Sequence, residues 1–171
     1  MNFEPETLKS KILSSLSDTR ASILDEAAQV PPGERETVFL GEWSLVDLLA
    51  HLAGWDFTNL VAAKEVQAGK SPGFYAHQDR GWKTFNAELV GTYRRDDFGE
   101  LLALVRDSHQ QLIAYLETVP AEAFEQDFGV RTRRGYKVTI ARLLGAEWQD
   151  EVEHLKQIQD FRGKSKKRKG K

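Results

Sequence analysis

A carboxylate and a histidine one helical turn apart, Asp150 and His154, lie near the C-terminal end of the chain on a segment whose apolar residues recur at helical spacing. Side chains at i and i+4 share a helix face, so this pair can converge on one ion. A second histidine, His51, is distant in sequence and falls one turn before Trp55. Two imidazoles and one carboxylate with open coordination positions suit a divalent transition metal such as Zn, Ni, Mn or Fe, which could activate water or a substrate. Glu147 and Glu151 are candidate general bases beside that set; each is also a candidate ligand, orienting group or partner for an Arg or Lys on another helix. Asp56 is a further acidic candidate. The same pattern is compatible with no metal, the carboxylates and His51 then activating water directly. It is also compatible with plain packing, since histidines at helix edges are commonly satisfied core residues.

These residues need helices to position them. Leu8, Ile12, Leu13, Leu16, Ile23, Leu24 and Ala27 recur at three- and four-residue steps from about Glu6 to Val30, where Pro31 and Pro32 end the pattern. Ser44 followed by Asp47 reads as a capping box opening a second helix with Leu45, Leu48, Leu49, Leu52, Trp55, Leu60 and Val61, which ends near Gly69. Asp97 and Glu100 open a third, closed by Pro120, and Thr139 can cap a fourth that runs to about Phe161. On a wheel of that last helix Ile140, Leu144, Trp148, Val152, Leu155 and Ile158 form the expected buried stripe, with Glu147, Glu151 and His154 within or beside it and Asp150 on its shoulder.

Residues 70–96, between helices two and three, are too many for a simple turn. Phe74, Tyr75, Trp82, Phe85 and Tyr93 predict a packed crossover with some helix around Trp82 to Tyr93. A shorter excursion, Phe128 to Val138, reads as extended chain or a small hairpin about Arg133-Arg134-Gly135. The expected fold class is all-α, a four-helix bundle with a long crossover between helices two and three. Trp43, Trp55, Trp82 and Trp148 are candidates for lining a pocket or simply for core.

The 171 residues fit one domain, expected to span residues 1–161, and the absence of cysteine excludes disulfide scaffolds, thiol nucleophiles and cysteine metal sites. A formal charge of -2 gives no global field toward polyanions, so nucleic acid is an unlikely partner. Neither a signal-peptide pattern nor a run of roughly 20 apolar residues is present, which predicts a cytoplasmic protein that is not embedded in a membrane. Residues 162–171 are basic and lack an apolar anchor, so they are expected to form a disordered tail. A homodimer is compatible with a bundle of this kind.

The stretch Trp43-Ser44-Leu45-Val46-Asp47-Leu48-Leu49-Ala50-His51-Leu52-Ala53-Gly54-Trp55 resembles the start of helix two in the DinB-like superfamily of four-helix bundles, particularly its ClbS/DfsB-like branch. Phe85-Asn86-Ala87 and the segment from Asp150 to Ile158 are similar to that group's corresponding segments. The resemblance implies a metal-binding cleft formed by a helix-two histidine and a His-x-x-x-His pair on the last helix, in proteins linked to thiol transfer, hydrolysis or detoxification. His51 matches the first ligand and His154 the last. Position 150 carries Asp where the pattern has His, which shifts metal preference toward harder ions. The resemblance therefore implies a small-molecule enzyme, a metal-dependent hydrolase or resistance protein working at a cleft around His51 and His154. The alternative is a non-catalytic protein that binds or sequesters a small molecule in a hydrophobic bundle pocket.

Overall fold

The computed structural model describes residues 5–77 and 81–169, with side chains described from 6 to 77 and from 81 to 165. The helices are α1 (Pro5–Ala28), α2 (Leu45–Gln67), α3 (Trp82–Tyr93), α4 (Phe98–Thr118) and α5 (Ile140–Lys169), and no named strand occurs among the described residues. The four long helices form the bundle, and α3 is the helix expected inside the crossover. The caps follow the sequence. Ser44 and Asp47 close a reciprocal capping box on α2, Asp97 accepts from the Glu100 amide, and Thr139 accepts from the Arg142 amide.

Side-chain contacts fix the helix directions. Thr19 meets Trp148 and Glu26 meets Arg162, so α1 and α5 run parallel. Asp56 meets Ser108 and Gln67 meets Tyr115, so α2 and α4 also run parallel. Lys9 reaches the carbonyls of Glu117 and Val119 while Arg20 reaches that of Val105, so α1 and α4 are antiparallel. The arrangement is up, down, down, up. Parallel neighbours cannot be joined by a tight turn, which is why the α2–α4 connection is long enough to hold α3. Gly54 lets α3 approach closely: a Cβ there would lie 2.8 Å from the Leu89 Cβ.

The excursion between α4 and α5 is a small hairpin-like bridge. Arg131 pairs with Lys137, and Gly135 turns the chain at φ +83°. Helix α5 continues to Lys169, so the backbone of residues 162–169 is helical where the sequence predicts a disordered tail. The first part of that segment finds partners that charge patterning alone does not reveal. Arg162 pairs with Glu26 and reaches Gln29 at 2.7 Å, and Ser165 bonds Glu34. Gly170 and Lys171, also assigned to the tail, lie outside the described residues.

The buried stripe of α5 is rotated from the one expected. Ile140, Leu144 and Ile158 are fully buried, but Trp148 is 36% and Val152 is 44% exposed. Leu143 and the three polar residues expected within or beside the stripe, Glu147, Glu151 and His154, occupy the inner face. The reason is a polar layer across the middle of the bundle. Above it lies one apolar cluster that includes Ile23, Leu49, Leu52, Leu101 and Ile158, and below it another with Leu16, Ala63, Leu112, Leu116 and Leu144.

At the centre of the layer is Arg20, 1% exposed. Its Nη1 and Nη2 donate to Asp56 at 2.6 and 3.0 Å, Nη2 and Nε donate to Glu151 at 2.6 and 3.2 Å, and Nη1 also reaches the Val105 carbonyl at 3.3 Å. Each guanidinium N–H thus has an acceptor. Ser108 donates to Asp56 at 2.6 Å, and His109 Nδ1 lies 3.6 Å from the other Asp56 oxygen. Removing one partner of a buried ion cluster strands the others, at a cost of about 3–5 kcal/mol. Arg20→Met should therefore lower unfolding free energy in urea by about that amount. The triple variant Arg20→Met, Asp56→Leu, Glu151→Leu should recover most of the loss, because no charge is then left unpaired.

Candidate functional site

The face of α2 that presents His51, Trp55 and Asn59 at successive turns looks across a cavity of about 480 Å³ toward Leu143, Glu147 and Asp150 of α5. Phe74 and Tyr75, from the 3-10 turn Gly73–His77, and Trp82 of α3 supply an aromatic wall. Trp55 is the hub of that wall, with ring centroids 5.3 Å from Phe74, 5.7 Å from Trp82 and 5.6 Å from Phe85. Its indole N–H is fixed by donation to Asn86 at 3.0 Å. Tyr136, Lys137, Val138 and Arg142 complete the lining.

The structure brings His51, Asp150 and His154 together, with one potential ligand atom from each lying within 4.8 Å of the others. His51 Nε2 is 3.9 Å and His154 Nε2 is 3.3 Å from Asp150 Oδ2, and the imidazole centroids are 5.3 Å apart. Both rings are buried, whereas the Asp150 side chain is 58% exposed, so the cluster has one open side. His154 Nδ1 pairs with Gln157 Oε1 at 2.8 Å, which in the neutral ring leaves the lone pair on Nε2. That Nε2 is buried with no hydrogen-bond partner despite its nearness to Asp150. Trp43 packs on His51 with centroids 4.7 Å apart and fixes the ring plane.

The donor set fits a divalent ion. His154 has the outer hydrogen bond that a ligating histidine normally carries, and its inner nitrogen lacks a partner. His51 is less well braced, because its Nδ1 is also buried without a partner. Ligation through Nε2 would put a proton on that nitrogen, a cost that lowers affinity without closing the site.

The charges sort into distinct roles. Interaction with His154 and then with His51 holds the Asp150 carboxyl well below the usual carboxylate range, against the opposing effect of burial. Burial pushes the His51 pKa down, partly opposed by Asp150. For His154 burial acts downward too, but Asp150 and Gln157 outweigh it and the pKa is raised. Glu147 is raised well above its ordinary 4.5, first by burial and then by the neighbouring charges of Glu151 and Asp56.

The two glutamates therefore separate. Glu151 turns inward and its two oxygens accept from Arg20, the cationic-partner alternative among its sequence readings, whereas Glu147 lines the cavity as a carboxyl whose pKa is raised. Asp56 also belongs to the Arg20 layer rather than to the cavity. Of the four tryptophans, Trp55 and Trp82 line the cavity, Trp43 backs His51, and Trp148 lies on another face with its N–H on Thr19. Sequence reasoning passed over Arg20, Ser108, His109 and Asn59. Arg20 and His109 stand where apolar spacing calls for a core residue, between Leu16 and Ile23 and between Val105 and Leu112. Asn59 repeats the His51–Trp55 interval once more.

A profile of the DinB superfamily matches residues 11–158. The chain belongs to the DinB superfamily. Two solved structures share its DinB fold at low sequence identity. One is a protein from Streptococcus pneumoniae determined by a structural genomics consortium, with TM-score 0.72 and 11% identity over 95% of this chain and 93% of that one. The other is the colibactin self-resistance protein ClbS in complex with a double-stranded DNA, with TM-score 0.66 and 18% identity over 88% of this chain and 94% of that one. No curated protein matches the chain in sequence. Among the described residues no helix of this DinB domain is long and apolar enough to cross a membrane.

A carboxyl whose native pKa exceeds its unfolded value binds more protons in the folded state, so its contribution to stability falls as pH rises between the two values. Wild-type protein should lose stability from about pH 4.5 upward through the range in which native Glu147 ionises. Glu147→Gln should flatten that limb of a urea-unfolding pH profile. An unchanged slope would remove Glu147 as its source.

Proposed function

We propose that the cavity is the active site of a small-molecule enzyme of hydrolase or resistance type, in which His51, Asp150 and His154 hold a divalent transition-metal ion. The observation that carries this reading is the convergence of these three side chains, one of them solvent-exposed, at a cavity of about 480 Å³. That volume lies within the range of small-molecule sites. When bound, the ion would supply Lewis acidity to a substrate oxygen or to water. Asp150 neutralises cationic charge at the open side of the cluster, and Trp43 and Gln157 orient the two imidazoles. Glu147 faces the cavity and its raised pKa favours the protonated form, in which it can deliver a proton to a leaving group as general acid. The aromatic wall shields that transfer from bulk water and holds an apolar substrate body.

The wall also favours a second reading, a metal-free protein that binds or sequesters a small molecule in the same cavity. ClbS is described as a self-resistance protein, and its fold likeness makes either role a natural one to test here. Its structure contains DNA, but the near-neutral charge of the present chain keeps nucleic acid the less favoured partner.

Melting temperature with and without Zn²⁺, Ni²⁺ or Mn²⁺ separates the readings. An ion at 100 times its Kd adds about 2.7 kcal/mol of stability, which for a domain of this size raises Tm by roughly 5–10 °C. Wild type should show that rise and His154→Leu should not. Equal responses would eliminate His154 as a ligand, and a metal-free wild type that retains an apolar compound on purification would favour the binding protein.

A further inference from the structure

A second concavity, a groove of about 500 Å³, lies between α1 and the first turns of α5. Leu8 and Ile12 line it from α1, and Leu144 and Trp148 from α5. Trp148 is 36% exposed and its indole N–H donates to Thr19 at 3.1 Å, so what it offers the groove is apolar ring. Gly145 also lines the groove, and a Cβ there would meet nothing within 4 Å, so the glycine leaves room that a side chain would occupy. Concave apolar surface of this size with a few polar groups at its margin is the form that small-molecule sites take.

The charge on the lining is one-sided. Three of its described residues are cationic, Lys11, Lys137 and Arg142, and one is a carboxylate, Glu125. This local positive excess stands in a chain whose net charge is -2. Arg142 Nη1 donates to the Lys137 carbonyl at 2.9 Å, so these two residues meet at the start of α5. Lys11 precedes Thr19, the partner of Trp148, by eight residues on a helix parallel to α5, and so lies toward the same end. Trp148 is six residues beyond Arg142, a rise of about 9 Å, which separates the cationic end of the groove from its aromatic end.

We propose that this groove binds a medium-chain carboxylic acid as its anion, the carboxylate at the Lys11, Lys137 and Arg142 end and the alkyl chain running along α5 toward Trp148. The aliphatic sides and the length between two parallel helices suit a chain, and the cations suit its head. Leu8, Ile12, Gly145 and Trp148 do not line the cavity at the His51 cluster, so the site goes beyond the proposed function and does not depend on a metal.

Decanoate and decan-1-ol, matched in chain length, test the proposal by titration calorimetry on the full chain. EDTA is present, so that no metal at His51, Asp150 and His154 can hold the carboxylate. Wild type should bind decanoate about tenfold more tightly than the alcohol, as charge-assisted contacts to its head predict. That preference should shrink as NaCl is raised, because salt screens exposed charges. Gly145→Leu should weaken both ligands by about tenfold or more while melting at the same temperature or higher, since leucine is the better helix former. Lys11→Glu, at an exposed position, should abolish the preference and keep decan-1-ol binding. In wild type the Trp148 indole N–H resonance should move on titration with decanoate, a readout that needs no variant. Equal affinities for acid and alcohol, undiminished binding in Gly145→Leu, movement of the Trp55 indole resonance in place of that of Trp148, or binding of neither probe would overturn the proposal. So would a wild-type dimer that Gly145→Leu disperses, which would give the groove to a second copy of the chain. None of these outcomes bears on the metal reading, which is tested through His154.

Discussion

The contact on which the rest of the molecule depends is the buried clamp of Arg20 on Asp56 and Glu151. It ties α1 to α2 and to α5 at mid-height and adds a bond to the α4 backbone, so one side chain sets the mutual height of four helices. Apolar packing alone tolerates sliding by small steps because it has little directionality. A guanidinium whose N–H groups are all engaged does not. Such clusters give little net stability relative to well-packed apolar substitutes, so registry is the role that best explains a fully buried arginine here.

Registry has a chemical consequence. The cluster contains one cation and two carboxylates, leaving an excess negative charge one turn from Glu147. Burial, and after it that charge, raises the pKa of Glu147 at the cavity surface. The layer thus adds to the upward pKa shift of a residue lining the cavity, and Glu151, which in sequence is as good a candidate base as Glu147, is committed to the arginine. Asp150, three residues on from Glu147 and on the same cavity, faces solvent and the two histidines. Three acidic residues within five positions thus have three different surroundings because α5 presents each in its own direction.

Much of this was legible in the chain. Pro31-Pro32, the Ser44–Asp47 box, Asp97, Pro120 and Thr139 mark helix limits by local chemistry, and local chemistry is what a sequence states directly. The pairing of His51 with Asp150 and His154 followed from helical spacing together with resemblance to the DinB bundles. The inner face of α5 was not legible, because Trp148 and Val152 compete with Glu147 and Glu151 for it, and hydrophobicity favours the former. What decides the contest is Arg20, about 130 residues earlier, and no local pattern links the two. The same ambiguity conceals His109 and Asn59, polar residues in apolar register whose meaning depends on a facing helix. Continuation of α5 past Phe161 also depends on distant partners, Glu26 and Glu34.

The cavity has two kinds of boundary, and they bear different constraints. His51, Asp150 and His154 sit on long helices locked by the polar layer, so their geometry is hard to change without disturbing the core. Phe74, Tyr75, Trp82, Tyr136 and Lys137 come from the crossover and the small hairpin, which lie outside the four long helices. Connections of this kind accept substitution and insertion more readily than the helices that carry them. The close contact at Gly54 is the point where the two systems meet: it seats α3 against α2 and thereby places Trp82 beside Trp55. A fold built this way can keep one polar cluster on its long helices while the crossover and hairpin vary the shape of the cavity beside it.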